Sequence, residues 1–255
     1  MVDERPSGDD KRALVSWLVE QISYHSDLYY NQAASEISDT EFDSLWSELK
    51  RLDPHNPQLD MVGSDSTPGS EKVIHLFPMR SLDKATTIKE IHHFVSETTV
   101  NGRQFVCQPK LDGSALSIEY RRGRLVRAAT RGNGTRGEDV TANARRISNV
   151  PESINWEGDC HIRGEVIMPL STFYEKYSSI APNPRNLAAG CLRQKTKDSG
   201  KAKPEDLIFL AYDVKFPDPD SSPPDSPPPP VFIFDSDSND WLSTIGIQIA
   251  GNTVI

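Results

Sequence analysis

One lysine stands where a β-type run ends. Gln104-Phe105-Val106-Cys107 leads into Lys110-Leu111-Asp112-Gly113, and Ser114 to Tyr120 leads away. A strand-to-turn junction can hold an amine in place and leave it exposed. Once deprotonated, by desolvation or by neighbouring cations, such an amine can attack an activated phosphate and carry a nucleotide as a phosphoramide. A lysine beside an Asp-Gly turn is also an ordinary turn, so the tetrapeptide has to be read with the rest of the chain.

Four further groups of residues could carry chemistry. Arg131-Gly132-Asn133-Gly134-Thr135-Arg136-Gly137-Glu138-Asp139 contains the G-x-G-x-x-G spacing. The run before it reads as an antiparallel hairpin and not as the first strand of a βαβ unit, which weakens a Rossmann reading. An Asn-Gly turn leading to a helix start, with Glu138 and Asp139 suited to the helix dipole, fits equally. A third reading makes Arg131 a phosphate or ribose contact beside Lys110. Arg163-Gly164-Glu165 interrupts an apolar strand. A charged pair there is costly unless it is satisfied or faces a pocket. It reads as an internal Arg–Glu pair, an edge, or a carboxylate for a ribose or a metal. Asn183-Pro184-Arg185-Asn186 with Arg193-Gln194-Lys195 gathers three cations, either solvated or set for phosphate. Tyr29-Tyr30 and Asp39 with Asp43 bring rings and carboxylates to one helix-turn-helix, the two aspartates on one face. They suit a flat cationic ring, or simply a cap and a core.

The elements that must position these groups follow from periodicity. Residues 1–10 are polar and read as disordered. From Lys11, Leu14, Leu18 and Ile22 recur at helical spacing. Ser38 and Glu41 form a capping box before the stripe Phe42, Leu45, Trp46, Leu49 and Leu52, which Pro54 and Pro57 end. Residues 11–60 are thus a helical unit, and 61–80, punctuated by Gly, Ser and Pro, read as a linker. Strands follow: Leu116, Ile118 and Tyr120 alternate, Arg122-Gly123 turns, and Leu125 to Thr130 returns. Cys160 to Met168 and Leu207 to Val214 are further strands. Residues 216–230, FPDPDSSPPDSPPPP, cannot pack a core and read as an extended loop. A short apolar pattern, Trp241 to Ile249, closes the series.

Composition narrows the classes. A chain of 255 residues has volume for a real core, and a mean hydropathy of −0.53 reads as soluble. No apolar run is long enough for a membrane, and the N-terminus has no apolar signal core, so a cytoplasmic setting is expected. Cys107, Cys160 and Cys191 form no CxxC, so neither a disulfide framework nor a zinc site is indicated. A net charge of −9 is unlike a free-standing nucleic-acid binder, which is usually basic. The basic run Arg121-Arg122-Gly123-Arg124-Leu125-Val126-Arg127 reads as a solvated hairpin turn in preference to a nucleic-acid patch.

The order of these signals resembles the N-terminal part of bacterial NAD+-dependent DNA ligases over nearly the whole chain, from His25 to about Ile249. The blocks that carry it are Ile37-Ser38-Asp39-Thr40-Glu41-Phe42-Asp43, Pro78-Met79-Arg80-Ser81-Leu82, Lys110-Leu111-Asp112-Gly113 and Ala129-Thr130-Arg131-Gly132-Asn133-Gly134-Thr135. Then come Gly137-Glu138-Asp139-Val140-Thr141, Arg163-Gly164-Glu165-Val166 and Asn183-Pro184-Arg185-Asn186-Leu187-Ala188-Ala189-Gly190.

The resemblance implies an α+β fold: a small helical NMN-binding subdomain, then an incomplete nucleotidyltransferase domain (81–255) of antiparallel sheets with helices, as in DNA ligases and mRNA capping enzymes. It implies that Lys110 takes AMP from NAD+ and expels nicotinamide mononucleotide. It places Tyr29, Tyr30, Asp39, Thr40, Glu41, Phe42 and Asp43 at the nicotinamide half, and Ser81, Leu82 and Gln108 at adenosine. Arg131 and Glu165 are implied at ribose and phosphate. Asp112, Arg185 and Arg193 are implied as supports for later transfer of AMP to a DNA 5′-phosphate. Magnesium or manganese is implied as charge neutraliser, with no metal-ligating residue assigned. The implied partner is nicked double-stranded DNA, held weakly by this acidic chain, which is expected to be a monomer.

The sequence departs from the family pattern. Gln108 replaces a glutamate, Phe42 a tyrosine and Arg80 an apolar residue, and the proline-rich loop is long. The family's Asp-Gly-Val-Val-x-Lys and final lysine motifs, and its oligonucleotide-binding, zinc and helix-hairpin-helix parts, are not in these 255 residues. Nick sealing by the chain alone is therefore not expected. The alternative is a non-catalytic NAD+-binding remnant. An ATP-using enzyme is disfavoured by the Tyr29–Asp43 unit, and an oxidoreductase rests on glycine spacing alone.

Overall fold

The computed structural model describes residues 5–6, 10–31, 36–60, 71–80, 84–98, 106–195, 200–218, 227, 241–249 and 253–254. For Tyr29, Tyr30 and Asp39 it describes the backbone alone. Helices α1 (Lys11–Asn31), α2 (Asp39–Leu52) and α3 (Pro57–Asp60) come first, and strand β1 (Lys72–Ile74) and helix α4 (Ile88–Thr98) follow. Then come β2 (Val106–Cys107), β3 (Ser114–Arg121), β4 (Arg124–Thr130), β5 (Arg136–Glu138), α5 (Thr141–Ala144), β6 (Cys160–Ile167), α6 (Leu170–Lys176) and α7 (Pro184–Leu192). A 3-10 turn (Pro204–Asp206), β7 (Ile208–Lys215) and β8 (Thr253–Val254) complete the order.

The helical unit closes as its periodicity predicts. Leu14, Leu18 and Ile22 of α1 meet Leu49 of α2 in a separate small core, and Phe42, Leu45 and Trp46 pack against it. Asp10 caps α1, its Oδ1 accepting from Arg12 N (3.1 Å) and Ala13 N (3.0 Å). The capping box of α2 is complete: Ser38 Oγ accepts from Glu41 N, and Glu41 Oε2 accepts from Ser38 N at 2.8 Å. Arg5, within the stretch expected to lack order, pairs with Glu48 at 2.8 Å and lies over the Trp17 ring.

The main sheet is antiparallel, in the order β4-β3-β6-β7. Its period-2 alternation buries Leu116, Ile118 and Tyr120 of β3, Ile162 and Val166 of β6, and Phe209 and Ala211 of β7 in one core with α7. Each of the leucine, isoleucine, valine and phenylalanine side chains among them contributes roughly 1.5–3 kcal/mol when taken fully out of water. The β3–β4 turn carries Arg122 at φ 48° and Gly123 at φ 70°, the left-handed pair that a tight hairpin needs. At Gly113 the chain passes so close to β6 that an added Cβ would lie 2.2 Å from Val166 O.

The structure corrects two expectations. The 61–80 stretch is not all linker: β1 lies in it and pairs antiparallel with β5 (Val73 opposite Gly137). Asn133-Gly134 does lead out of a turn, but into strand β5 and not a helix. Glu138 is in that strand and buried. The helix starts only at Thr141, whose N–H donates to Asp139 Oδ1 (2.9 Å). Among the described residues, no helix is long and apolar enough to cross a membrane.

Candidate active site

The face of the main sheet away from the core carries the polar residues. On β6 these are His161, Arg163 and Glu165; opposite them on β3 stand Glu119, Ser117 and Ala115. Lys110 lies just before β3, and the sheet brings it to the Glu165 end of this face. The two groups meet through their charges. Burial pushes the Glu165 carboxyl up to about 7; Lys110 and Arg131 pull the other way, Asp112 adds to the rise, and the Gly113 N–H bonds to the carboxylate. Three segments far apart in sequence thus converge, at 110–113, 131 and 165. Arg163 does not pair with Glu165. It pairs across the strand boundary with Asp213 of β7, at 3.3 Å. The strand is central, with β3 on one side and β7 on the other, so the edge reading also falls.

The turn that carries Lys110 is clamped. Arg185, in the first turn of α7, donates from Nε to Gly113 O (3.2 Å) and pairs through Nη1 with Asp112 Oδ1 (3.1 Å). Burial lowers its pKa, although a guanidinium stays charged. Helix α7 is held in place by Asn183, whose Oδ1 caps Asn186 N at 2.9 Å. Arg185 therefore supports the lysine turn itself, a contact that the sequence did not suggest. Arg193 sits at the C-terminal end of the same helix, half-buried. Lys110 and Gln108 are exposed.

A strap crosses this face. After β1, His75 N donates to Thr135 O (2.9 Å) and Met79 N to Gly134 O (2.8 Å). His75 Nε2 lies within bonding distance of Thr130 O and Arg131 O, 3.0 and 3.2 Å away. The strap thereby touches the backbone of Arg131 and ends at Arg80. Ser81 and Leu82 lie outside the described residues.

Tyr212 is the residue that sequence reasoning missed. The β6–β7 register shifts at Arg163/Gly164, so β7 carries one extra residue between Ala211 and Asp213. Burial pushes the Tyr212 hydroxyl up to about 12, with Glu165 adding and Arg131 opposing, so the hydroxyl lies within electrostatic reach of both. An aromatic face there suits a stacked base. The only signal was a tyrosine in an apolar run, and a bulge has none in a single sequence.

The nicotinamide-side candidates are distributed differently. Glu41 is engaged as a cap, its backbone and side-chain bonds to Ser38 holding its pKa low. Phe42 packs on Trp46 with ring centroids 6.2 Å apart. Thr40 O accepts from Ser44 Oγ at 2.8 Å. Asp43 forms an ion pair with Lys84, which ties α2 to the chain beyond the strap. Among the described residues no three His, Cys, Asp or Glu side chains converge as a metal cage. The donor set among the described residues is thus poor for a protein-held cation.

The family described as NAD-dependent DNA ligase adenylation domain matches residues 69–234, and the DNA ligase-like, N-terminal NAD+-binding domain matches residues 9–68. A DNA ligase of Marinobacter nauticus is 38% identical over 227 residues, covering 80% of this chain and 33% of that protein. A DNA ligase of a Bradyrhizobium species is 37% identical over 226 residues (79% and 31%), and one of Leptospira biflexa is 34% identical over 226 residues (85% and 33%). The chain spans about a third of the length of these relatives. With more than half of its residues matched by one family, it belongs to the NAD-dependent DNA ligase adenylation domain family.

Proposed function

We propose that this chain performs the first chemical step of such ligases: transfer of AMP from NAD+ to Lys110. The Lys110 amine attacks the adenylyl phosphorus of the dinucleotide. A P–N bond forms, the P–O bond to the nicotinamide mononucleotide half breaks, and that half leaves as the mononucleotide. The proton comes off Nζ, and Glu165, at a pKa of about 7, can hold a proton near neutral pH. Arg131 offsets phosphate charge, Tyr212 stacks the adenine, and Gln108 with Ser81 and Leu82 completes the adenosine side. Tyr29, Tyr30, Asp39 and Asp43 hold the nicotinamide side. We divide the chain into a helical NMN-binding unit (11–60) and a nucleotidyltransferase unit (81–255), and join β1 to the second because it pairs with β5. Later transfer of AMP to a 5′-phosphate at a DNA nick, by a monomeric protein, is the function proposed for the larger assembly of domains in its relatives.

One observation carries the reading: a lysine turn clamped by Arg185 faces a carboxyl that burial holds near neutrality. The test is intact-protein mass spectrometry after incubation with NAD+ and magnesium, beside ATP and a Lys110→Ala variant. A gain of one AMP from NAD+ alone, absent in Lys110→Ala, is expected. No gain by a folded chain rules out autonomous adenylation. If NAD+ still binds in that case, the chain is a non-catalytic NAD+-binding module.

A further inference from the structure

We infer that Arg163 is a positioning residue that locks the strap (residues 75–79) onto the sheet and so fixes one wall of the proposed nucleotide site. The geometry is specific. Arg163 is on the central strand β6, two residues from Glu165 and on the same face. Its side chain is 13% exposed. Its Nη2 donates to Phe77 O at 2.7 Å and reaches Pro78 O at 3.2 Å, while Nη1 faces Asp213. The Phe77 ring packs edge-on to His161, the next outward residue of β6, with centroids 5.2 Å apart. One guanidinium therefore joins β6, β7 and the strap.

The strap has two kinds of attachment. Upstream, β1 pairs with β5 and His75 holds the backbone of Thr130 and Arg131. Downstream, Met79 N bonds to Gly134 O. Between them the chain turns through Phe77-Pro78, and Pro78 has no N–H with which to hold itself. Arg163 supplies the hold there from the sheet side. Its charge is the reason a neutral residue would not serve: a charge-assisted bond to carbonyl oxygens in a half-buried layer is stronger than a neutral one. The same strap contacts the Arg131 backbone and leads to Arg80. Letting it move therefore moves the ribose–phosphate and adenosine sides together while leaving the Lys110 turn, clamped by Arg185, in place.

Removal of Arg163 does not strand its partner, because Asp213 also pairs with Lys215 at 3.1 Å. The fold can therefore be tested with the latch absent. Arg163→Ala, Arg163→Gln and Arg163→Lys are compared by hydrogen exchange and by calorimetric titration with NAD+. In Arg163→Ala the amides of His75 and Met79 are expected to exchange at least tenfold faster, while Ile118 and Ile162 in the sheet keep their protection. The dissociation constant for NAD+ is expected to rise about tenfold, with Arg163→Lys recovering part of both changes. Where self-adenylation is measurable, KM rises and kcat stays within about twofold. Unchanged exchange of the strap amides overturns the inference. So does equal loss of protection in the sheet, which marks Arg163 as a general structural residue; Arg163→Gln, which keeps a donor and most of the volume, decides the point if the alanine variant does not fold. The affinity arm rests on the nucleotide-site reading and the exchange arm does not. Wild-type protein that fails to bind NAD+ therefore refutes that reading while the latch is still judged by exchange.

Discussion

Glu119 and Glu165 lie on the same face of one sheet, on neighbouring strands, and end in opposite electrostatic states. At Glu119, Arg121 Nε approaches to 2.7 Å, and Arg127 reaches the other oxygen through Nη2 (2.7 Å) and Nε (3.0 Å). Burial would raise this carboxyl, but the bond to Arg121 and the charges of Arg127 and His161 outweigh it and hold it below the usual carboxylate range. At Glu165 burial wins, and the carboxyl goes up to about 7 although Lys110 and Arg131 are nearby. Among the described residues, no cation is in ion-pair contact with it. The strand pairing is equivalent at both places, so the difference lies in the cations. At one end two guanidinium groups close on the carboxylate. At the other the cations stand back, acting on the carboxyl only through space. A half-buried carboxylate without a counter-ion in contact is a cost to the fold, and such costs concentrate where chemistry is done.

The largest expected effect breaks the satisfied end. Glu119→Ala leaves Arg121, Arg127 and His161 facing one another without the anion. Breaking a buried pair typically costs 3–5 kcal/mol. Here the guanidinium groups keep some water, with side-chain exposures of 62% and 42%, so about 3 kcal/mol is expected. Urea unfolding at pH 7 measures it. A loss under about 1 kcal/mol would show that the Glu119 cluster is not the stabilising end of this pair.

The second effect has the opposite sign. The folded Glu165 pKa is above its unfolded value, so the native state binds the extra proton between about 4.5 and about 7. Stability from this group is therefore greatest in acid and is lost as pH rises through that window. Glu165→Gln mimics the protonated form. It is expected to stabilise the fold by about 1–3 kcal/mol at pH 8 and by nothing measurable at pH 4. The same substitution is expected to weaken NAD+ binding. Equal stability at pH 8 would mean that the carboxyl is not held near neutrality.

How far the sequence foresees this contrast can be argued from the same residues. The capping box, the Arg122-Gly123 hairpin and the strand around Arg163-Gly164-Glu165 are local patterns, and the structure has all three. Glu165 was open between a paired charge and a ligand carboxylate because the deciding fact is where Arg163 points, and its partner Asp213 lies fifty positions on. β1 was hidden in a linker for a similar reason: three residues carry little periodicity, and their partner strand is 136–138. The clamp of Arg185 on Gly113 spans 72 positions and has no local signature. The Tyr212 bulge depends on register. The expected roles of Ser81 and Leu82 fall outside the described residues, and those of Tyr29, Tyr30 and Asp39 rest on side chains that are likewise outside them.

The smallest effect sharpens the comparison by isolating what surrounds Glu119. Burial lowers the His161 pKa; Glu119 resists this, and Arg127, Arg121 and Arg163 reinforce it. His75, under the strap, is lowered as well, chiefly by burial, with the bonds to Arg131 and Thr130 opposing. A histidine kept neutral in the fold takes up its proton more readily when unfolded. Its contribution is present above about 6.5 and is lost as pH falls below it, by at most about 1.4 kcal/mol per pH unit for each ring. Glu165 runs the other way in the same window, so the wild-type profile between pH 7 and 5 is flattened by cancellation. In a Glu165→Gln background the histidine slope is exposed. Adding His161→Gln there is expected to remove about half of it, the remainder belonging to His75, while Glu119 is still held by its two arginines. A slope that His161→Gln leaves intact would assign the acid sensitivity to the strap histidine alone and leave the Glu119 cluster indifferent to pH above the carboxylate range.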